Sequence, residues 1–464
     1  MNLIDMIQAL GPNIAISILA FLAAISILVF VHEWGHYIVA RMCGVRVDEF
    51  SIGFGKEVWG RTDKAGTRWK ISLIPLGGFV KMFGDMDPAS AGVTDQIKDG
   101  EEAPRPMTEA EKQEAFFAKP VWQRSAIVFA GPAINYIFAI ILLAGLFTFH
   151  GQKVISPEIG GIIGGSAAEK YGFQPHDIVV SIDGKSVTKF QDITREMMVS
   201  LDHENHFVVK REGELIDIYA KPTRKSEKDR FGFPSSKGFL GVFPSDSVLG
   251  LSDIVAIDGQ VFEKKEDLIA VLNSKMGTIF SIDVGDKENS DTYLIRPFAH
   301  VNDSLGTQEN ILEEVLMLAS SKEDVVIPHN FMTATQSAIR EAYVMTRTTL
   351  EAIGQMIVGT RSATELGGIV RIGAIAGEMA QQGIIPFIIL TALLSVNLGL
   401  INLLPIPLLD GGHLLFYFFE TLLGKPVPEQ VQEYAFRAGF VFLIGIMAFA
   451  NINDLVQISG ILEK

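Results

Sequence analysis

An uncharged apolar run near the start of the chain constrains the fold more than any other feature. Residues Ile14 to Val31 carry no charged side chain, and a helix of that length extends roughly 27 Å, enough to cross the hydrocarbon core of a bilayer. No basic residue precedes the run and no small-residue cleavage site follows it, so it lacks the pattern of a cleaved signal peptide. We therefore predict a first transmembrane helix.

The sequence His32-Glu33-Trp34-Gly35-His36 continues this helix. His32 and His36 are four residues apart, so their rings point the same way and can bind one Zn²⁺. Glu33 lies beside them as a candidate general base. The pattern alone is only moderately specific, because two histidines can also cap a membrane helix at the lipid headgroups. A metal site in or at the membrane is the hypothesis, and headgroup contact is the alternative.

Composition supports a membrane location for part of the chain. The 464 residues are 48 % hydrophobic, with a mean hydropathy of +0.29, which is too apolar for an ordinary soluble protein of this length. The formal net charge of −15 argues against nucleic acid as a partner. The single cysteine, Cys43, excludes an internal disulfide and any multi-cysteine zinc site.

Three further apolar segments predict three more transmembrane helices, for a total of four. They are Ala126 to Phe149, about Ile384 to Leu404, and about Tyr434 to Ala450. By the positive-inside rule, the flanking basic residues place the ends of the first and third spans on the cytoplasmic side and the N-terminus outside. These flanking residues are Arg41, Arg46, Lys119, Arg124, Lys425 and Arg437.

The third span ends in an unusual break. Pro405 and Pro407 stop regular helix, and Asp410 follows them among apolar residues. Such a break is tolerated only against protein or a wet cavity. An unpaired carboxylate at that depth is costly, so Asp410 needs a cation or strong donors, although it could instead cap the next helix. Because the first and third spans end on the same side, the Asp410 carboxylate can meet His32 and His36.

Short glycine-punctuated strands follow the first span, at Val47–Ile52, Thr67–Leu73 and Gly78–Phe83. They predict a small hairpin sheet beside the metal. An open edge of this sheet could take up an extended peptide by strand addition, which matters because a helical substrate must unwind before its backbone is attacked. The alternative is an ordinary cytoplasmic hairpin without a role in substrate binding.

The region before the second span predicts a loop and then an interfacial helix. Residues Asp85 to Pro106 are acidic and polar, and Thr108 to Glu111 fit a capping box. The helix that this box opens is predicted to lie on the membrane surface with an apolar face. Within the second span, Asn135 follows a Gly-Pro pair, and a polar residue at that depth should face other protein. The residues on the predicted apolar face include Phe116, Phe117 and Trp122.

The region between about Ile155 and Phe298 has a soluble character and contains a repeat. His176–Lys185 and Ser252–Gln260 are each an apolar strand running into an Asp-Gly turn, so a tandem duplication of α/β units is predicted. The first copy resembles a PDZ domain of the bacterial protease-associated type, and the second is a weaker match. An amphipathic helix is predicted after each turn, at Asp192–Leu201 and Lys264–Leu272.

Three other segments have less specific patterns. His203 and His206 have helical spacing but lie in a polar loop, so we expect them to be solvated rather than a second metal site. The segment Asp303–Pro328 is acidic and partly helical, without evident chemistry. Phe331–Val358 predicts a long amphipathic helix on the outer face or packed on the spans.

Several motifs, in order along nearly the whole chain, resemble the site-2 protease family of intramembrane zinc proteases. The two most widely separated are the His32–His36 motif and the segment from Ser395 through Asn402 to Gly412, which carries both prolines and Asp410. The others are Phe116–Lys119 with Trp122 and Arg124, Ala130–Asn135, and the tandem PDZ-like region between spans two and three. The chain departs from the family pattern at Leu366–Arg371, where a proline usually follows the second glycine and Arg371 is unexpected.

This resemblance implies that His32, His36 and Asp410 are zinc ligands. It implies that Glu33 is the catalytic base and that Asn397 holds the substrate backbone near the metal. The implied enzyme is a zinc metalloendopeptidase that cuts transmembrane segments of single-span proteins, such as an anti-sigma factor already shortened by another protease or signal-peptide remnants. It would lie in the bacterial inner membrane, with the metal toward the cytoplasm and the PDZ pair outside, as a size filter or as a recruiting module.

The expected fold is a multi-domain membrane protein with an α-helical polytopic core of four transmembrane helices, a small membrane-associated β-hairpin sheet and tandem PDZ-like α/β domains. The predicted divisions are 1–46 (first span with the metal motif), 47–106 (hairpins and loop), 107–150 (interfacial helix and second span), 151–223 (first PDZ domain), 224–300 (second PDZ-like domain), 301–383 (linker and amphipathic helix), 384–424 (third span) and 425–464 (fourth span and tail).

Two functions from other classes remain as alternatives. A metal transporter could also place His and Asp in broken spans, but it would usually need more intramembrane polar residues, and Glu33 would have no special role. A membrane-anchored PDZ scaffold with a vestigial site would tolerate the loss of Asp410. Zinc flux into liposomes distinguishes the transporter, and peptide cleavage distinguishes the scaffold.

Overall fold

The computed structural model describes residues 14–84, 96–97, 105–228, 234–262, 264–286, 289–303, 305, 315–320 and 326–462. Most of the predicted loop 85–106 and of the acidic segment 303–328 lies outside these residues. The helices are α1 (Ile14–Met42), α2 (Glu109–Glu114), α3 (Val121–His150), α4 (Ala167–Lys170), α5 (Phe190–Val199), α6 (Lys265–Lys275), α7 (Phe331–Val358), α8 (Ile369–Gln382), α9 (Ile384–Leu403), α10 (Asp410–Leu423) and α11 (Glu429–Leu462).

Within the described part of the chain, α1, α3, α9 and α11 are the helices long and apolar enough to cross a membrane. They include the four predicted spans, so the prediction of a four-span membrane protein is confirmed. The α3 helix continues through Pro132. The predicted amphipathic helix Phe331–Val358 is α7, with the predicted bounds.

Alanine faces bring the central helices together. Ala139 of α3, Ala338 of α7 and Ala392 of α9 are all fully buried in one cluster. Lipid tails are as apolar as these side chains, so helices in a membrane associate mainly through close packing, which small residues permit. The α7 helix is therefore packed on spans two and three. This is one of the two positions that the sequence predicted for it, the other being the outer face.

Side chains of α11 bind the backbone of Leu366–Arg371, the segment before the third span that departs from the family pattern. The Asp454 carboxylate is fully buried and accepts hydrogen bonds from the backbone N–H groups of Gly368 and Arg371, both at 3.0 Å. Asn451 accepts from the N–H of Ile369, also at 3.0 Å. These two side chains satisfy the free N–H groups at the start of α8. A proline in place of Ile369 would have no N–H for Asn451.

The strands form several small sheets. The three strand segments predicted after α1 are paired within two longer strands, in which Glu49 to Ile52 pair on one side with Arg68 to Ile71 and on the other with Gly78 to Lys81. The strands are β1 (Val47–Thr62), β2 (Arg68–Met82), β3 (Gln96–Ile97), β4 (Arg105–Pro106), β5 (Gln152–Lys153), β6 (Ile159–Ile163), β7 (Ile178–Ile182), β8 (Lys185–Ser186), β9 (Asn205–Arg211), β10 (Glu214–Ala220), β11 (Thr223–Lys228), β12 (Pro234–Phe239), β13 (Val242–Pro244), β14 (Val248–Gly250), β15 (Ile254–Ile257), β16 (Gln260–Val261), β17 (Phe280–Asp286), β18 (Asn289–Ile295), β19 (Val315–Met317) and β20 (Val326–Ile327).

The β1–β2 hairpin has one packed and one open surface. Phe50 is fully buried in a cluster against the end of α1. Large apolar side chains cover the far part of the hairpin, and such a patch is typical of a surface that meets protein or lipid. These exposed side chains include Phe54, Val58, Trp59, Leu73 and Ile74.

The predicted interfacial helix is wrong in its extent. The capping box is present, since the Thr108 hydroxyl accepts from the N–H of Glu111 and the Glu111 carboxylate accepts from the N–H of Thr108. However, α2 ends at Glu114, a short 3₁₀ turn holds Phe116, and Trp122 belongs to α3. Ala115 is extended and fully buried, which breaks the helix that the apolar spacing suggested.

The region between the second span and α7 contains two larger sheets. One has the strand order β10-β9-β7-β8, and the other has the order β13-β6-β18-β17-β15-β16. The two Asp-Gly turns have matched geometry. Asp183 accepts a hydrogen bond from the N–H of His206 at 2.8 Å, and Asp258 accepts one from the N–H of Ser281 at 2.9 Å. Both aspartates have positive φ, of 50° and 46°.

The two units share secondary structure. Strand β6, which precedes the first repeat, pairs with β18, which ends the second. Ile162 of β6 packs in the core of the first unit together with Leu240, a residue on the other side of the predicted boundary at 223/224. One sheet therefore continues from the first unit into the second.

Charged side chains dock the first unit on α7. Glu341 of α7 is buried and pairs with Lys189 at 2.8 Å and with Arg195 of α5. Burial raises the pKa of the Glu341 carboxyl, but the hydrogen bond from Arg195 and the charge of Lys189 outweigh it and hold that pKa below its usual range. A second pair joins Arg347 of α7 to Glu196 of α5 at 2.7 Å. The first unit is thus fixed to a helix that packs on spans two and three.

Candidate active site

Three metal-binding side chains converge where α1, α3 and α10 meet. The Nε2 atoms of His32 and His36 are 3.2 Å apart, and Asp410 Oδ2 lies 3.2 Å from the first and 3.6 Å from the second. Both imidazoles are buried. Among the residues that the structure describes, these three form the one group of at least three His, Cys, Asp or Glu side chains placed to hold a metal ion. The Asp410 carboxylate therefore lies beside His32 and His36, as the order of the spans predicted.

This donor set fits a zinc ion. Two nitrogen atoms bound to one tetrahedral zinc, each at about 2.05 Å, lie about 3.3 Å apart, close to the 3.2 Å between the imidazole Nε2 atoms. The Asp410 Oδ2 atom is buried and accepts no hydrogen bond from the described residues. Two imidazoles and one carboxylate are also a ligand set found in catalytic zinc sites, where the fourth position stays open.

Hydrogen bonds on the far side of each ring orient the two imidazoles. Nδ1 of His36 donates to the backbone carbonyl of Ile127 at 2.9 Å, which leaves the Nε2 lone pair free. The Asn135 amide nitrogen lies 3.0 Å from Nδ1 of His32, while the amide oxygen of this fully buried residue has no partner among the described residues. Exchanging the amide oxygen and nitrogen gives the oxygen the Nδ1 proton to accept and again leaves Nε2 of His32 free.

Replacement of Asn135 by alanine is expected to lower zinc affinity about 10- to 100-fold, because an outer hydrogen bond that fixes a ligand ring typically contributes that much. Competition with a zinc chelator measures the change. Thr148→Ala is the matched control, since Thr148 lies on the same helix and its hydroxyl bonds only to the helix's own carbonyl of Ala144. Equal zinc affinity in the two variants would contradict the role of Asn135.

The proline break places Asp410 at the first position of α10. Leu408 just before it has φ +86°, a conformation that is uncommon for a residue with a side chain. Two glycines follow. A Cβ added to Gly411 would lie 2.2 Å from the Leu404 carbonyl oxygen, and one added to Gly412 would lie 2.5 Å from the Ile406 carbonyl oxygen. The loop thus folds tightly onto the start of α10 and directs the carboxylate toward α1.

Two glycines permit the close approach of α1 and α3. A Cβ on Gly131 would lie 2.2 Å from Nε2 of His36, and a Cβ on Gly35 would lie 2.5 Å from the carbonyl oxygen of Ala130. Gly131 is a position of the site that was not among the residues predicted from the sequence. A glycine next to proline inside an apolar helix was the available signal.

Glu33 lies beside the metal ligands and faces the edge of β2. A Cβ on Gly78 would lie 3.3 Å from Cγ of Glu33, and the backbone N–H of Val80 is directed to the Glu33 carboxylate. In the described part of the chain, Gly78 to Lys81 of β2 pair on one side only, with Glu49 to Ile52 of β1. The edge formed by Gly78 and Val80 is therefore open toward the candidate site.

A cavity of about 940 Å³ contains the site. Its walls include the three candidate ligands and Glu33, and its far side is formed by α10. There the ion pair between Arg124 and Glu420, at 2.6 Å, ties the start of α3 to α10. The volume is at the upper end of the range for ligand pockets, large enough for several residues of an extended peptide.

The structure separates the two asparagines at the end of the third span. The predicted site residue Asn397 accepts a hydrogen bond from Thr349 of α7 at 3.0 Å and does not line the cavity. Asn402 does line it, and its amide nitrogen lies 3.4 Å from Nε2 of His32. The sequence contained both residues in the same motif, but it gave no indication of which face of α9 meets the metal.

His203 and His206, the second histidine pair, do not belong to the candidate metal-binding group. Asn205 begins strand β9, so His203 and His206 do not share a helix face. His206 pairs with Asp217 at 2.7 Å, and the ring of His203 lies 3.1 Å from the Asn205 amide.

Comparisons with known proteins agree with the geometry. A family model described as peptidase family M50 matches residues 20–446. A protein of Agrobacterium fabrum whose name describes a zinc metalloprotease is 34 % identical over 443 residues, 96 % of each chain. The regulator of sigma-E protease RseP of Salmonella typhimurium is 30 % identical over 460 residues, which cover 95 % of this chain and 98 % of the relative. The regulator of sigma E protease of Haemophilus influenzae is 31 % identical over 459 residues.

Proposed function

Because this chain belongs to peptidase family M50, the site-2 protease family, and is a zinc metalloprotease, we propose that it hydrolyses peptide bonds within the transmembrane segments of single-span membrane proteins. The observation that carries this proposal is the meeting of His32, His36 and Asp410 beside Glu33, at the ends of helices long enough to cross a membrane. Zinc is its cofactor.

His32, His36 and Asp410 are the proposed zinc ligands. Zinc held by three protein ligands supplies a Lewis acid that polarises a carbonyl and promotes the ionisation of water. The Glu33 carboxylate accepts a proton from the attacking water and later donates it to the leaving amide nitrogen. The Glu33 carboxylate lines the cavity beside the two imidazoles and holds the proton between these steps.

The substrate is proposed to bind as an extended strand along the open edge of β2. A peptide inside a membrane keeps its hydrogen bonds only if another backbone replaces those of its helix. The segment around Gly78 offers such a backbone next to Glu33, and the absence of a side chain on Gly78 lets this segment lie against Val29 and Glu33 of α1. Phe54 and Phe79 also line the cavity and would contact apolar substrate side chains.

Asn402, rather than Asn397, is proposed to hold the substrate carbonyl near the metal. Asn402→Ala is expected to lower kcat about 100-fold, since one polar group at a developing oxyanion typically contributes that much. Asn397→Ala removes the contact with Thr349 and should change kcat less than tenfold. Steady-state cleavage of one model substrate by both variants measures the difference, and a larger loss in Asn397→Ala would reverse the assignment.

The two outer units, proposed to be PDZ domains, are proposed to act as a size filter. They lie in the segment between spans two and three, whereas the metal lies at the opposite ends of those spans by the positive-inside rule. They therefore cannot contact the same short peptide as the metal. Replacing residues 155–298 by a short linker should admit a single-span substrate that carries a folded outer domain. Continued refusal of that substrate would contradict the filter.

The proposed location is the bacterial inner membrane, with the N-terminus and the outer units in the periplasm. The names of the relatives, which describe regulators of sigma-E, support a role in regulated intramembrane proteolysis. The corresponding substrates would be anti-sigma factors already shortened by another protease, or signal-peptide remnants.

The direct test uses purified full-length protein and a model single-span substrate with a short outer tail. Cleavage within the span is expected, with loss of activity on removal of zinc by a chelator and recovery on its return. Activity that persists in protein shown to be free of zinc would overturn the proposed chemistry.

A further inference from the structure

The joint between the two outer units contains a buried histidine with two short hydrogen bonds. His176 Nδ1 lies 2.6 Å from the Glu158 carboxylate, and its Nε2 lies 2.6 Å from the backbone carbonyl oxygen of Arg296. His176 and Glu158 belong to the first unit, whereas Arg296 follows β18 of the second. The two side chains are 11 % and 9 % exposed, so water does not substitute for either bond.

The ring bridges two oxygen atoms that belong to different units. Its Nε2 hydrogen is donated to the Arg296 carbonyl of the second unit, and its Nδ1 is hydrogen-bonded to the Glu158 carboxyl of the first unit. Glu158 also accepts a hydrogen bond from Ser320 at 2.8 Å, which ties the segment after the second unit to the same carboxylate.

The surroundings hold the ring in place. His176 has φ +70°, a conformation that costs energy for a side chain of this kind and persists only where its contacts maintain it. Its ring lies against Phe298, with centroids 4.5 Å apart. The backbone pairing of β6 with β18 runs beside it. The joint therefore combines a continuous sheet with a buried, hydrogen-bonded histidine.

We propose that His176 and Glu158 are specificity-determining residues, because the hydrogen bonds of His176 to Arg296 and of Ser320 to Glu158 hold the two outer units as one rigid body that excludes bulky outer domains. This inference rests on the proposed size filter. A single hydrogen-bonded sheet edge would let the units swing apart, since β6 and β18 share only three residue pairs. The contact between His176 and Glu158 fixes both side chains in place, and their two bonds across the joint hold it at a second point.

The test measures both rigidity and specificity in the full-length protein. Cys43 is the single cysteine, so a Cys43→Ala background allows spin labels at Leu215 of β10 and Val261 of β16, which are exposed. Glu158→Gln keeps the shape and removes the charge. His176→Asn removes the ring, and asparagine tolerates positive φ. Glu212→Gln is the matched control, because its carboxylate pairs with Arg296 across the same joint but is 73 % exposed.

Glu158→Gln and His176→Asn should broaden the distribution of label distances and raise cleavage of the bulky substrate about tenfold, as expected for the loss of one charge-assisted hydrogen bond. Both should cut the short-tailed substrate at the rate of the parent, which shows that they fold. Glu212→Gln should change neither. An unchanged distance distribution, or a broadened one with continued refusal of the bulky substrate, overturns the inference. Refusal by the protein that lacks residues 155–298 would instead overturn the filter itself.

Discussion

Replacing Glu33 with glutamine is expected to abolish cleavage while leaving zinc bound. Glutamine has nearly the same shape, and the convergent donors of His32, His36 and Asp410 remain in place. It cannot accept a proton from water, and a positioned general base typically contributes 10²- to 10⁴-fold to the rate. Cleavage of a single-span substrate and the zinc content of the same purified sample measure the two effects.

Asp410→Ala provides the contrast, because it should lose both the zinc and the activity. Glu433→Gln is the control for removal of a carboxylate, since Glu433 is exposed on α11, where it pairs with Arg437, and an exposed pair of this kind contributes little. A Glu33→Gln protein that holds zinc and cleaves at the wild-type rate would refute the assigned base.

Adding one methyl group at Gly131 is expected to destroy the metal site. The new Cβ would lie 2.2 Å from Nε2 of His36 and 2.9 Å from Cε1 of His32, so both rings must move. They are held from behind by Ile127 and Asn135 and cannot retreat without losing those hydrogen bonds. A misplacement of about 1 Å can cost 100-fold in rate, so Gly131→Ala should lose most of its activity and its tight zinc binding.

Gly145→Ala is the matched control on the same helix, because among the described residues no heavy atom outside the adjacent helix backbone lies within 4 Å of its added Cβ. Alanine favours helix by about 1 kcal/mol over glycine, so this variant should be at least as stable as the parent and fully active. Zinc titration and cleavage assays on both proteins test the pair. Normal zinc affinity in Gly131→Ala would show that α1 and α3 can separate without cost.

Local patterns in the sequence determined several elements. The uncharged run before His32, the capping box at Thr108 and the bounds of α7 each depend on residues a few positions apart, and the structure has all three. The predicted helix beyond Glu114 was wrong because a tertiary contact buries Ala115 in an extended conformation. The three predicted short strands are present as paired segments of two longer strands, but the pairing of Glu49 to Ile52 on both sides depends on residues distant from them in the sequence.

The joint between the outer units also depended on distant residues. The repeat at Asp183 and Asp258 is visible in the sequence, and the two turns have matched hydrogen bonds. The pairing of β6 with β18 brings together residues about 130 positions apart. The alternation of apolar and polar residues along a strand does not predict which strand it pairs with, because the same alternation is compatible with many partners.

The sequence by itself determined that His32, Glu33 and His36 share one end of a membrane helix, since helical spacing and apolar length are local properties. The tertiary structure alone decided which other residues meet them. Asn397 and Asn402 are five positions apart, about 140° around a helix, so only one can face the cavity, and the rotation of α9 against α3 and α7 selects Asn402. The same packing makes Gly131 indispensable, because the distance between two helices is set by all the side chains between them.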